Sequence, residues 1–156
     1  RLMPDSGADE ALPSKSVMLY FERELPPEDV RTALDLPVGV KTIHAARTLN
    51  TAQGLVTYDE LWANPEVFEK LTKENLARHE EKMLYAFYQR VCGVTITKCE
   101  ETLKAKLMPE DLCREFGLSA PTPVIEIRRT AFTYGDKPVE YHIQRCLTDR
   151  YHYQIM

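Results

Sequence analysis

Two long runs of strand-forming residues, "PTPVIEIRRTAFTY" and "KPVEYHIQRCL", meet at Gly135-Asp136 near the C-terminal end of the chain. β-branched and aromatic residues recur through both, and a Gly-Asp turn between two such runs dictates a β-hairpin. A hairpin this long needs further strands or helices against it, so an all-helical fold is excluded. Its second strand is unusually polar. Successive side chains point to opposite faces, so Glu140, His142, Gln144 and Cys146 share one face, and Val139, Tyr141 and Ile143 share the other and read as core. Either the polar face is wet, or something polar sits against it.

The rest of the chain supplies the partners. Residues 16–22 form a short strand candidate, and Pro26-Pro27 ahead of Glu28-Asp29 start a helix over residues 27–34. "VKTIHAARTLN" and "GLVTYDELWA" make a second hairpin through Asn50 to Gly54. Asn64 is placed to cap a helix beginning at Pro65. Residues 79–91 carry Met83, Leu84, Phe87 and Val91 at helical spacing, with Gly93 as the exit. Residues 94–108 alternate like a long strand, although "CEETLKAK" at its centre is also compatible with helix. A short helix is expected between Pro109 and Gly117. Consecutive hairpins, rather than β-α-β alternation, predict an α+β domain: an antiparallel β-sheet flanked by helices.

The 156 residues suit one folded domain, and a net charge of -4 with a pI near 5.6 argues against a phosphate-binding surface on this segment. Cys92, Cys99, Cys113 and Cys146 form no C-x-x-C pair, and His44, His79, His142 and His152 lack metal-ligand spacing, so reduced structural thiols and no metal or cofactor are expected. No apolar run approaches the ~20 residues that span a bilayer, and no signal-peptide pattern opens the chain, which points to a cytoplasmic protein without membrane partners. The segment "RLMPDSGADEALPSK", residues 1–15, is polar and aperiodic and opens on Arg1. It is expected to be a linker remnant from an upstream domain, with the folded domain over residues 16–156.

On the first hairpin, Arg47 lies on the face that carries Ile43, Ala45 and Leu49, and Asp59 on the face that carries Thr57 and Leu61. If the register merges the two faces, Arg47 and Asp59 are either a surface ion pair or a charge-assisted pair inside a pocket. Asp59 and Glu140 would be positioned for acid/base chemistry only if the fold brought them together. The chain has no nucleophile elbow, Cys-His neighbour or glycine-rich phosphate loop.

The stretch from Thr122 to Gln154 resembles the C-terminal signature of the UTRA domain, found in the HutC branch of GntR-type bacterial transcription regulators. Arg129-Thr130, Gly135, Pro138-Val139-Glu140 and Asp149-Arg150-Tyr151 match in order and spacing. "HAARTLNTAQGLVTYDELW" and "MLYAFYQRVCGVTI" are similar to the family's Arg-bearing hairpin and its Leu-Tyr helix. The resemblance implies a chorismate-lyase-like fold with a small-molecule effector over the sheet, and a homodimer. It also implies a repressor-type regulator that reaches operator DNA only through an N-terminal winged helix-turn-helix absent from this chain.

By the same resemblance, Arg47, Asp59, Tyr85 and Glu140 are the effector-binding positions. Relatives that bind sugar phosphates tend to carry a second arginine, a small hydroxyl residue and an aromatic where this chain has Leu49, Met83 and Cys146. With fewer anion donors and softer walls, the expected effector is a small carboxylate or zwitterion. Arg47 would hold its carboxylate, Asp59 or Glu140 would accept from an amine, imidazole or hydroxyl, and Leu49, Met83 and Cys146 would give apolar contact. A chorismate-lyase-type enzyme and a dimerisation module with a vestigial pocket are the alternatives. His142 is left between the cleft and its rim.

Overall fold

The computed structural model describes residues 2–5, 15–79 and 83–155. In chain order the elements are β1 (Leu2–Pro4), β2 (Lys15–Glu24), α1 (Glu28–Ala33), β3 (Thr42–Thr51), β4 (Gly54–Ala63), α2 (Lys73–Arg78), α3 (Leu84–Phe87), β5 (Lys98–Leu107), α4 (Glu110–Glu115), β6 (Pro123–Thr133), β7 (Lys137–Leu147) and β8 (Tyr151–Tyr153). α3 runs on into a π-helical turn, Tyr88–Cys92.

Strands β2 to β7 form one six-stranded antiparallel sheet in the order β2-β3-β4-β7-β6-β5. Both hairpins expected from the sequence are present, and β4 pairs with β7 to weld them at the centre of the sheet. The turn between β6 and β7 places both Gly135 and Asp136 at positive φ, a conformation glycine adopts freely and aspartate tolerates. β1 and β8 make a separate two-stranded ribbon, with Leu2 opposite Tyr153.

One face of the sheet packs Ile43, Ala45, Leu61 and Ala63 against Phe68, Leu71, Leu76, Phe87 and Tyr88 from the segment between β4 and β5. The other face packs Trp62, Tyr141 and Ile143 against Val30 and Leu34 of the α1 region, and Val124 and Leu147 against Met108 and Cys113 around α4. Burying each of the larger apolar side chains contributes about 1.5–3 kcal/mol. The α+β expectation therefore holds, with helices on both faces.

The middle of the chain departs from its periodicity. α2 starts at Thr72, whose side chain accepts from the Asn75 amide while Asn75 returns the bond to the Thr72 amide, and it stops at His79, which is extended. A helix over 79–91 is thus not formed as expected. Helical geometry begins at Leu84, after an extended Met83, and residues 80–82 lie outside the described ones. Asn64 does accept from the Glu66 amide at 3.0 Å, but only turns follow it. Gly93 ends the π turn at φ 68°, as a C-terminal glycine does. "CEETLKAK" is strand, because β6 offers it a hydrogen-bonding edge that local propensity does not weigh. Within the segment expected to be linker, Leu2–Pro4 pair with β8, and residues 1 and 6–14 lie outside the described set.

Candidate functional site

The register decides which polar side chains meet. Arg47 is opposite Asp59, which is opposite Gln144; Leu61 is opposite His142, which is opposite Arg129, which is opposite Glu101. One step along, Ala63, Glu140, Ala131 and Cys99 form the next row. All of these side chains share the face that α3 covers in part. Arg47, Asp59, His142 and Glu140 are therefore neighbours on one surface, although the first two lie 81 to 95 residues before the last two in sequence.

Each is buried: Asp59 is 2% exposed and Glu140 is 0% exposed. Tyr88, on the π turn, donates its hydroxyl hydrogen to Glu140 Oε2. Arg47 Nη1 lies 3.1 Å from His79 Nε2, and its Nε lies 3.9 Å from Asp59 Oδ2. His142 Nε2 approaches the same carboxylate oxygen at 3.6 Å. Beside them Arg129 is held by Glu101 at 2.7 Å, and the Cys99 thiol donates to the Tyr85 hydroxyl at 3.2 Å.

Four atoms of this group, Arg47 Nε, Asp59 Oδ1, Glu140 Oε1 and His142 Nε2, make no hydrogen bond among the described residues. An unsatisfied buried polar group costs about 1–3 kcal/mol, more if charged, and folded proteins tolerate few of them. Four lie within this one cluster, two on carboxylates and two on the basic side chains that face Asp59 only at ion-pair distance. A shallow cleft of about 310 Å³ lies alongside, lined by Glu74, Arg78, His79 and Arg90 among others. It does not include the four atoms, and unpaired buried groups mark a site better than concavity alone.

Electrostatics support the same grouping. Burial works to raise the Asp59 carboxyl, but His142 and Arg47 outweigh it and hold the group below its ordinary range, as a carboxylate. Burial and then the charge of Glu140 push the Tyr85 and Tyr88 hydroxyls up, so both stay neutral donors. Burial, reinforced by Asp59, pushes the Cys146 thiol up to about 12, which leaves it a neutral, soft wall.

Of the residues singled out from sequence, Arg47, Asp59 and Glu140 converge, and Cys146 lies on the same face opposite Thr57. Tyr85 is at the edge of the group, close enough for Glu140 and Arg129 to act on its hydroxyl. Leu49 is partly buried one row beyond Arg47, and Met83 is 58% exposed at the head of α3. His142 faces the cluster. Tyr88, His79 and Arg129 were not singled out as site residues. Tyr88 is three residues after Tyr85 on one helical face, and Arg129 shares the parity of Glu140's neighbours, so both left a signal in the sequence. His79 left none, because its position depends on the break between α2 and α3.

The antiparallel sheet with helices on both faces, together with the match to the UTRA domain, makes this a chorismate-lyase-like α+β fold. The chain matches the UTRA domain over residues 11–152 and belongs to that family, the regulatory ligand-binding domains of GntR-type transcription regulators rather than a family of enzymes. This decides against the lyase alternative. A ligand-binding domain attributed to a GntR-family transcriptional regulator from Bordetella bronchiseptica is 29% identical, with a TM-score of 0.87 over 100% of this chain and 95% of that one. The C-terminal domain of the histidine utilization repressor from Pseudomonas syringae pv. tomato has the same fold at 19% identity, with a TM-score of 0.74 over 90% of this chain and 96% of its own. The regulator YydK from Bacillus subtilis is 13% identical at a TM-score of 0.80, and this chain covers 61% of it. No curated protein matches the chain. Among the described residues, no helix is long and apolar enough to cross a membrane.

Proposed function

We propose that this domain senses a small carboxylate or zwitterionic metabolite on the α3-covered face of its sheet and passes its occupancy to DNA binding. The carrying observation is the set of four buried atoms on Arg47, Asp59, Glu140 and His142 that make no hydrogen bond among the described residues. Arg47 Nε and His142 Nε2 suit a carboxylate, while Asp59 Oδ1 and Glu140 Oε1 suit an amine or imidazole N–H. Two carboxylates in the cluster disfavour a dianionic sugar phosphate, and Glu101 already offsets the charge of the neighbouring Arg129. Tyr85 borders the bound molecule, and Leu49, Met83 and Cys146 form its softer surroundings.

In this reading the protein is a cytoplasmic regulator of the HutC type, a repressor and a homodimer. A winged helix-turn-helix outside this chain holds the operator. Effector and operator affinities then shift each other by one coupling factor, typically ~1–3 kcal/mol.

Calorimetry with imidazole-4-acetate, β-alanine and glucosamine 6-phosphate tests the site. Binding of a carboxylate-plus-donor probe, weakened at least about tenfold by Arg47→Ala, is expected. Tight binding of the sugar phosphate, unchanged in Arg47→Ala, would sink the proposal. Failure of every small molecule to raise the melting temperature would favour a dimerisation module with a vestigial pocket.

A further inference from the structure

Among the described residues, the ribbon of β1 and β8 reaches the site through a chain of contacts. Tyr153, on β8 and opposite Leu2 of β1, donates its hydroxyl hydrogen to Glu101 Oε1 on β5. The other carboxylate oxygen, Oε2, takes Arg129 through Nε and Nη2, both at 2.7 Å. Arg129 is directly across the β6–β7 pair from His142, which approaches Asp59, and its charge acts on Tyr85. The ribbon is further clipped by the Asp5 amide bonding the Arg150 carbonyl at 2.9 Å and by His152 Nδ1 at 2.8 Å from Asp5 Oδ1. Glu101 thus has one oxygen on the ribbon and the other on the site's second guanidinium.

We infer that the β1–β8 ribbon is a strap coupled to the sheet-face site through Tyr153, Glu101 and Arg129, so that ligand binding and strap seating strengthen each other. This rests on the site reading above. A guanidinium has five N–H donors in a rigid fork, and Glu101 takes those of Nε and Nη2, which fixes the plane and leaves Nη1 uncommitted by Glu101. With the strap seated, Glu101 is pinned from behind and Arg129 is presented to the site in one orientation. With it unseated, Glu101 loses that support and Arg129 must be ordered at the ligand's expense. A carboxylate on the site therefore binds the seated form better, and by linkage the ligand seats the strap by the same factor. The strap includes the chain's N-terminal strand, the side on which the proposed DNA-binding domain would lie.

Amide hydrogen exchange over residues 2–5 and 151–153, with calorimetry, tests this on the whole chain and imidazole-4-acetate as probe. Without probe, Tyr153→Phe and Glu101→Gln should each speed exchange across β1 and β8; no change in either variant overturns the strap. In the wild type, saturating probe should slow that exchange about fivefold or more, and Tyr153→Phe should weaken probe binding by a similar factor. Probe binding that depends on Arg47 yet is indifferent to both variants overturns the strap and spares the site. No probe binding at all overturns the site reading itself, while the probe-free exchange still judges the latch.

Discussion

Tyr88 gives its hydroxyl hydrogen to Oε2 of Glu140, and the second oxygen of that wholly buried carboxylate has no partner among the described residues. One helix thereby holds a strand carboxylate in place while leaving half of it available. The consequence is measurable without any ligand. Tyr88→Phe removes the one hydrogen bond seen on a fully buried acid and should lower stability by about 1–3 kcal/mol in a urea melt. Glu140→Gln, which keeps an acceptor for Tyr88, should cost less.

The opposite face of the sheet carries a pH response. His44 stacks on Trp62 and lies between Glu24 and Glu60, with Nε2 3.2 Å from Glu60, and Arg145 holds Glu60 at 2.9 Å. Burial opposes ionisation of Glu60, but His44 and Arg145 prevail and bring it down to about 2 from its ordinary 4.5. A depressed carboxyl contributes stability above its unfolded value, and that contribution is lost as pH falls from about 4.5 towards 2. His44 runs the other way. Burial lowers it, yet Glu60 and Glu24 raise it above 6.5 overall, so its contribution is present below that value and lost as pH rises through the folded one. Urea midpoints against pH should therefore peak between the two limbs. Glu60→Gln should flatten both the acid limb and, by removing a partner of His44, part of the alkaline one.

Thiol labelling should separate the cysteines by position. Cys99 is exposed on β5, whereas Cys92, Cys113 and Cys146 are buried, and the Cys146 thiol is pushed up to about 12. One fast-reacting thiol is expected in the folded domain, lost in Cys99→Ser, with the others reacting only on unfolding. Fast modification of Cys146 in the native state would contradict its burial.

The apolar edge of the proposed site should behave differently from its polar core. Met83 is 58% exposed, so Met83→Ala should change stability by less than about 0.5 kcal/mol. Asp59→Ala leaves buried Arg47 and His142 facing an empty position and should cost about 3 kcal/mol or more. Comparing their chemical denaturation curves checks both.

How far the sequence reaches can be followed residue by residue. The faces of β3, β4 and β7 follow from parity alone, while the resemblance to the family is what marks Arg47, Asp59 and Glu140 as candidates on them. The helix expected over residues 79–91 is not continuous, since His79 and Met83 are both extended, and helical spacing cannot see where one turn stops. The strand at "CEETLKAK" was ambiguous locally because its stability comes from pairing with β6. Leu2–Pro4 carry no periodicity, and their strand exists only through β8, about 150 residues away.

The hairpins, the alternation that makes one face of β7 polar, and the family's ordered signature are all local patterns of residue type, legible along the chain. The pairing of β4 with β7, which brings Asp59 to His142 and Glu140 under Tyr88, emerges only from the packed molecule. Pairing between strands some 80 residues apart is chosen by the total burial of both sheet faces, and no single segment encodes that sum. The polar face of β7 is buried at Glu140 and His142, and each keeps an atom without a hydrogen bond among the described residues, a combination that parity can suggest and only packing can produce.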